Sequence, residues 1–107
     1  MKIETVGELI ELLKEFGGSI SVFTLLQDTI LGIEEIHEDD GIVVLVMGSN
    51  DDLIVGELME NLEKFDNSIK VFLSAQRIHF FIQELYIDED NAVIIVAESS
   101  PDLPFDN

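Results

Sequence analysis

Carboxylates are the groups whose spacing stands out. Glu4, Glu8, Glu11 and Glu15 recur at i, i+4, i+7 and i+11. On a helix this puts them along one side, about one turn of roughly 5.4 Å apart. Glu57, Glu60 and Glu63 repeat part of the row, with Lys64 beside it. Like charges at such spacing cost helix stability, and few Lys or Arg residues interleave to relieve them. The row therefore reads either as a solvated helix face or as an anionic surface with a use. Two such rows side by side imitate the phosphates of a duplex, which carries one charge per about 1.7 Å of axis. The expected partner-binding surface is these seven glutamates together with the acidic turns Asp39–Asp40, Asp51–Asp52 and Asp88–Glu89–Asp90.

Other chemistry finds less support. Acidic turns invite a calcium reading, since hard cations want several oxygens, but a twelve-residue calcium loop opening at Asp88 needs Gly at position 93 and Glu at position 99. The chain has Val93 and Ser99 there, so turn and cap chemistry explains these residues and no metal is expected. The two histidines, His37 and His79, fall at non-equivalent positions of an internal repeat described below, which leaves no paired metal or catalytic role. Ser49, Ser74, Ser99 and Ser100 lack a nucleophile-elbow pattern, and Gly17-Gly18 follows a helix where a phosphate loop would precede one. The expectation is a protein without enzymatic activity and without a cofactor.

The net charge of −18, from 23 acidic against 5 basic residues, is the outlying fact of the composition. Such a field opposes direct binding to bare nucleic acid or to an anionic membrane and attracts a basic partner. Large apolar residues are abundant, with 47% of the chain hydrophobic, so the acidity does not imply disorder. There is no cysteine, no secretory pattern behind Met1, and no apolar run near the roughly 20 residues a membrane span needs. A cytoplasmic location is expected.

These groups are carried by a tandem duplication. The stretch Val6 to Phe16 returns 49 positions later as Val55 to Phe65, and Ser19, Ile20, Val22, Phe23, Gln27, Ile33 and Glu35 return as Ser68, Ile69, Val71, Phe72, Gln76, Ile82 and Glu84. After a one-residue slip near His37, the segment from Asp40 to Val46 lies on that from Asp90 to Val96.

In each copy an apolar stripe of period 3.6 predicts a helix, Val6 to Phe16 and Val55 to Phe65. The first is opened by a Thr5/Glu8 capping box and closed by Gly17-Gly18, the second is capped from Asp51 or Asp52. Three extended runs follow each helix. They are separated by Gln27-Asp28 or Gln76-Arg77, and then by Asp-Gly or Asp-Asn turns that supply the positive φ of a tight hairpin. The third runs, Ile42 to Met47 and Ala92 to Ala97, are apolar without alternation, as in strands covered on both faces. The expected fold is α+β, an internally duplicated αβββ-αβββ with antiparallel sheet or sheets, both helices on one face and pseudo-twofold symmetry. It forms one domain of two repeats, 1–49 and 50–98, followed by a surface tail, 99–107.

The phrase Thr5-Val6-x-Glu8-Leu9-Ile10-x-x-Leu13-x-x-Phe16, followed by strands around a Glu-Asp-Asp-Gly turn, resembles small uncharacterised acidic proteins of phages and prophages. The resemblance implies a phage-type origin and carries over no activity and no site residues. Together with the charge it frames a non-enzymatic inhibitor of the DNA-mimic kind. Such a protein would block the nucleic-acid groove of a basic host-defence protein, in anti-restriction or anti-CRISPR fashion. The alternative is an accessory or structural phage protein that self-associates, as a homodimer, through sheet edges, its charge serving solubility alone. Adaptation to high salt ranks last, because the core is not weakened in the way such adaptation brings.

Overall fold

A computed structural model describes residues 2–49 and 52–98. Its elements are α1 (Val6–Leu13), β1 (Val22–Leu26), β2 (Thr29–Asp39), β3 (Ile42–Gly48), α2 (Val55–Leu62), β4 (Val71–Ala75), β5 (Ile78–Phe80), β6 (Ile82–Ile87) and β7 (Val93–Ala97). The order is αβββ-αβββ, with the second extended run of the second copy split at Phe81 into β5 and β6.

Helix α1 begins where its capping box sets it. Thr5 Oγ1 accepts from Glu8 N–H (3.2 Å), and Glu8 Oε1 accepts from Glu4 N–H (2.8 Å) and Thr5 N–H (3.1 Å). Both helices are shorter than the apolar stripe predicts, ending at Leu13 and Leu62. The next residues tighten into i→i−3 bonds, Glu15 N–H to Leu12 O and Phe16 N–H to Leu13 O, so Phe16 packs on the core from a turn. Gly17 and Gly18 do not act as left-handed caps, since among the described glycines only Gly41 has positive φ. The cap of α2 is likewise corrected. Its N-cap is Ile54, whose N–H donates to Glu57 Oε1 (3.3 Å), and Ile54 has no side-chain acceptor to return the bond. Helices of two turns are not stable alone in water, where roughly 12–15 residues are marginal. They persist because Val6, Leu9, Ile10 and Leu13, and Val55, Leu58 and Leu62, are buried in one cluster with the sheet.

The strands form one curled, mixed sheet, a half-barrel in the order β5-β4-β3-β2-β1-β7-β6. It is not purely antiparallel: β1 pairs with β7 and β3 with β4 in parallel, and the remaining pairs are antiparallel. The physical reason lies in the connections. Each hairpin keeps its own strands antiparallel, but the first strand of one repeat pairs with the last strand of the other, and a helical crossover lets such strands run the same way. The two outermost strands, β5 and β6, are separated in the chain by Phe81 alone, so the sheet bends back on itself there. The N-terminal segment enters this corner, with Ile3 N–H bonded to Ile82 O (2.9 Å) and Thr5 bridged to Lys70.

The repeats are joined by an exchange of backbone bonds. Val6 N–H donates to Ile69 O and Gly7 N–H to Asn67 O (both 2.9 Å). At the positions 49 residues on, Val55 N–H donates to Ile20 O (2.8 Å) and Gly56 N–H to Gly18 O (2.9 Å). Each helix thus starts on the loop that follows the other. This approach leaves little room for a side chain: a Cβ on Gly7 would lie 3.0 Å from Asn67 Cβ and 3.1 Å from its carbonyl oxygen, and one on Gly56 would lie 3.2 Å from Gly18 O.

Crowding at these two places makes a stability prediction. Gly7→Val and Gly56→Val are each expected to lower unfolding free energy by about 1–3 kcal/mol, as overpacking does. Gly17→Ala, whose Cβ would meet only Ile20 at 3.5 Å, is expected within about 0.5 kcal/mol of wild type. Urea unfolding of the three variants checks it.

Candidate functional site

Strand direction sorts the carboxylates. Because β1 is parallel to β7, β3 is parallel to β4, and β2 is antiparallel to both β1 and β3, strands β1, β3, β4 and β7 all start at one end of the half-barrel. Both helix starts dock at that same end, through Val22 N–H to Leu53 O (3.0 Å) and Val71 N–H to Glu4 O (3.0 Å). The turns entering β3 and β7 lie there too. The helix end therefore gathers Glu38, Asp39 and Asp40, the turn Asp88–Glu89–Asp90, and the helix-associated Glu4, Glu8, Glu11, Glu15, Asp52, Glu57, Glu60 and Glu63. Asp66 belongs to this group and is absent from the set chosen by sequence. Among the described residues the carboxylates elsewhere are Asp28, Glu34, Glu35 and Glu98, while Glu84 lines a shallow pocket with Ile3 and Leu12 beside α1. Asp51 lies outside the described residues.

Within the helix end only part of the ridge expected from spacing lies on helix, Glu8 and Glu11 on α1 and Glu57 and Glu60 on α2. Glu4 precedes the N-cap, Glu15 follows the C-cap Lys14, and Glu63 is itself a C-cap. Glu8 and Glu57 turn back to cap their own helices. Glu11 is paired with Lys14 at 3.1 Å. The physical reason is that α1 and α2 have only two turns each, so the glutamates at the ends of each row are displaced from it. What is brought together is an acidic end built of caps and turns.

The shapes of the turns have local causes. Asp40 (φ 56) and Gly41 (φ 89) adopt the left-handed pair that a two-residue hairpin demands. In the second copy Asp88 Oδ1 instead accepts from Asp90 N–H (2.9 Å) and Ala92 N–H (3.0 Å), and only Asn91 (φ 63) is left-handed. Asp88 is thereby engaged in its own loop, while Glu89 and Asp90 stay exposed. Lys14–Glu11 is an ion pair at this end; Lys2–Glu98 (3.3 Å) lies elsewhere, as does the contact of His37 Nδ1 with Glu35 Oε2 (3.1 Å), an ion pair only when the histidine is protonated.

The far end and the outer face differ. Strand register places His37 opposite Val44, and His79 opposite Ser74, on the outward face of the sheet, where the His79 ring stacks on Phe72 with centroids 6.0 Å apart. Among the described residues no three His, Asp or Glu side chains converge to hold a metal ion. Val44 and Ile94 are buried on this outward face although no further layer of described residues covers it; their register partners are the large Phe72 and Phe23. The expectation of strands covered on both faces is thus met by neighbouring side chains and not by a second layer. Ile30 (56% exposed) and Tyr86 (39%) are left partly bare. At the end opposite the helices, a cavity of about 500 Å³ opens between the β1–β2 and β4–β5 hairpins, lined by Leu26, Gln27, Thr29, Leu31, Met47, Ala75, Gln76, Ile78 and Phe80. Sequence reasoning did not find it. Its signal is the inward alternation of Thr29 and Leu31 and of Ile78 and Phe80, combined with the small Ala75 where the first copy has Leu26.

Among the described residues no helix is long and apolar enough to cross a membrane. No protein-family model, no curated protein and no solved structure matches the chain.

The capping carboxylate of α1 carries a pH signature. The N–H groups of Glu4 and then Thr5 hold Glu8 below its ordinary pKa, because both bonds favour the charged form. A depressed carboxylate contributes stability that is present above its unfolded-state pKa and lost as pH falls through the folded one. Glu8→Ala is therefore expected to lower the Tm at pH 7, and the gap to wild type is expected to close as pH drops through the folded-state value. Thermal melts of both proteins between pH 7 and about pH 2.5 check this.

Proposed function

We propose that this is a small, non-enzymatic, acidic binding protein of phage-type origin that acts as a nucleic-acid mimic. Its helix end occupies the basic groove of a cytoplasmic nucleic-acid-binding protein of host defence, of the restriction or CRISPR class. The scaffold is one duplicated domain, repeats 1–49 and 50–98, with a pseudo-twofold relation between them. One observation carries the reading: both acidic turns and the helix-associated carboxylates are drawn to a single end of the fold, while few carboxylates lie elsewhere among the described residues. A concentrated field of this kind steers a basic partner and speeds its encounter, with a reach set by a Debye length of about 8 Å at physiological salt. Mimicry here does not depend on a regular duplex-like row. Irregularly placed carboxylates at the rims of two turns suffice to compete for Lys and Arg that otherwise hold phosphates.

A second reading is favoured by the bare Ile30 and Tyr86 on the outward sheet face. Here the protein self-associates as a phage accessory component, and its charge keeps the assembly soluble. Sedimentation separates the two: the mimic is expected as a monomer at micromolar concentration, the accessory protein as a dimer or larger.

Competition tests the main proposal. Purified protein is expected to displace labelled DNA or RNA from at least one nuclease or effector in a restriction and CRISPR panel, less strongly as salt rises. Joint replacement Asp39→Asn, Asp40→Asn, Glu89→Gln and Asp90→Asn is expected to weaken displacement at least about tenfold. Asp28→Asn with Glu34→Gln, away from the helix end, is expected to stay within about twofold. Equal effects of the two sets, or no displacement from any panel member at low salt, overturns it.

A further inference from the structure

The half-barrel is plugged from one end only. The helices fill its concave interior at the end where β1, β3, β4 and β7 start, and no described element fills the opposite end. There the interior surface opens as the cavity of about 500 Å³. Small-molecule sites commonly occupy this range of volume and the mouths of barrels.

The lining is asymmetric in a way that makes room. The equivalent hairpins contribute Leu26 against Ala75, Thr29 against Ile78 and Leu31 against Phe80, so the smaller alanine of the second copy leaves space beside Met47. Met47 and Phe80 are themselves nearly buried and form the deep wall. The polar residues on the lining are Gln27, Gln76 and Thr29, all neutral. Gln27 and Gln76 sit in left-handed turn positions, φ 56 and 52, at matching places in the two hairpins. Each carboxamide can both donate and accept.

We infer that this mouth is a binding site for an uncharged, mainly aromatic or aliphatic small molecule bearing a neutral hydrogen-bonding group such as an amide, amine N–H or hydroxyl. The apolar body is matched by Leu31, Met47, Ile78 and Phe80, and the polar group by the two glutamines. An ionised ligand is disfavoured because no charged side chain lines the cavity to compensate its desolvation. An anion is opposed further by the net charge of −18. The site lies at the other end of the fold from the proposed partner-binding carboxylates, so either assignment stands or falls without the other.

The probe is N-phenyl-1-naphthylamine, a neutral aromatic amine that fluoresces strongly only in apolar surroundings. Wild-type protein is expected to bind it saturably at one equivalent, with amide shifts in a 1H–15N NMR titration concentrated at Leu31, Met47, Ile78 and Phe80. Ala75→Phe, which fills the cavity, is expected to weaken binding at least about tenfold with unchanged circular dichroism, whereas Ile30→Lys on the outward face is expected to leave it within about twofold. Three results overturn the inference: no saturable binding to wild type, loss of binding in Ile30→Lys with retention in Ala75→Phe, or NMR shifts confined to the outward face around Phe23 and Tyr86. A concentration-dependent dimer in which those four amides are protected without probe also overturns it, since the mouth would then be an interface between copies.

Discussion

Everything in this fold hangs on the crossing of backbones where each helix begins. Gly7 and Gly56 lack side chains at the two points where the start of one helix lies against the loop leaving the other, and the bonds to Asn67 O and Gly18 O hold that contact. From it follow the neighbouring bridges Thr5 to Lys70 and Ser21 to Ile54, then the parallel strand pairs. The helices are too short to persist without this anchorage and the burial that follows from it. The crossing also brings the helix starts and the β2–β3 and β6–β7 turns to one end. The acidic surface is thus a consequence of how the repeats interlock as much as of which residues they contain.

That gathering has an energetic cost. Carboxylates packed at one end of a small domain repel one another, and the described ion pairs at that end offset little of it. Local bonds give partial compensation: Glu8 and Asp66 are each held below their ordinary pKa, Glu8 by the amides of Glu4 and Thr5 and Asp66 by the amide and hydroxyl of Ser68. A carboxylate that caps a helix or closes a turn does structural work while still adding to the field. The same residues therefore serve fold and proposed recognition, and a substitution among them has to be read for both effects.

Much of this architecture was legible in the residues. The repeat offset, the Thr5/Glu8 capping box, the Asp40-Gly41 turn and the αβββ order all follow from short-range patterns whose physics is local. Strand partnership was not legible, because apolar runs such as Ile42–Gly48 and Val93–Ala97 specify burial and leave the neighbour open. The intuition that repeats fold as separate hairpins leads to an antiparallel sheet, and exchange between repeats defeats it. The helical row of glutamates outruns its helices for a related reason: its period is real, but α1 and α2 stop after eight residues each. The acidic turns, the other part of the expected surface, were placed by chemistry that acts within four residues. The cavity needed three-dimensional placement of two hairpins, which no single stretch reveals.

The pairing of β1 with β7 has a consequence for biosynthesis. Val22 meets Val93 across some seventy intervening residues, and the edge of β1 that β7 occupies has no partner until Val93–Ala97 has left the ribosome. Residues 1–49 cannot finish as a unit and wait for the second copy. Long-range closure of this sort is slow, and it leaves a nascent chain with an open apolar edge whose charge is its main protection against clumping. The acidity proposed for capture thus also bears on the chain before it closes, by keeping such open edges apart.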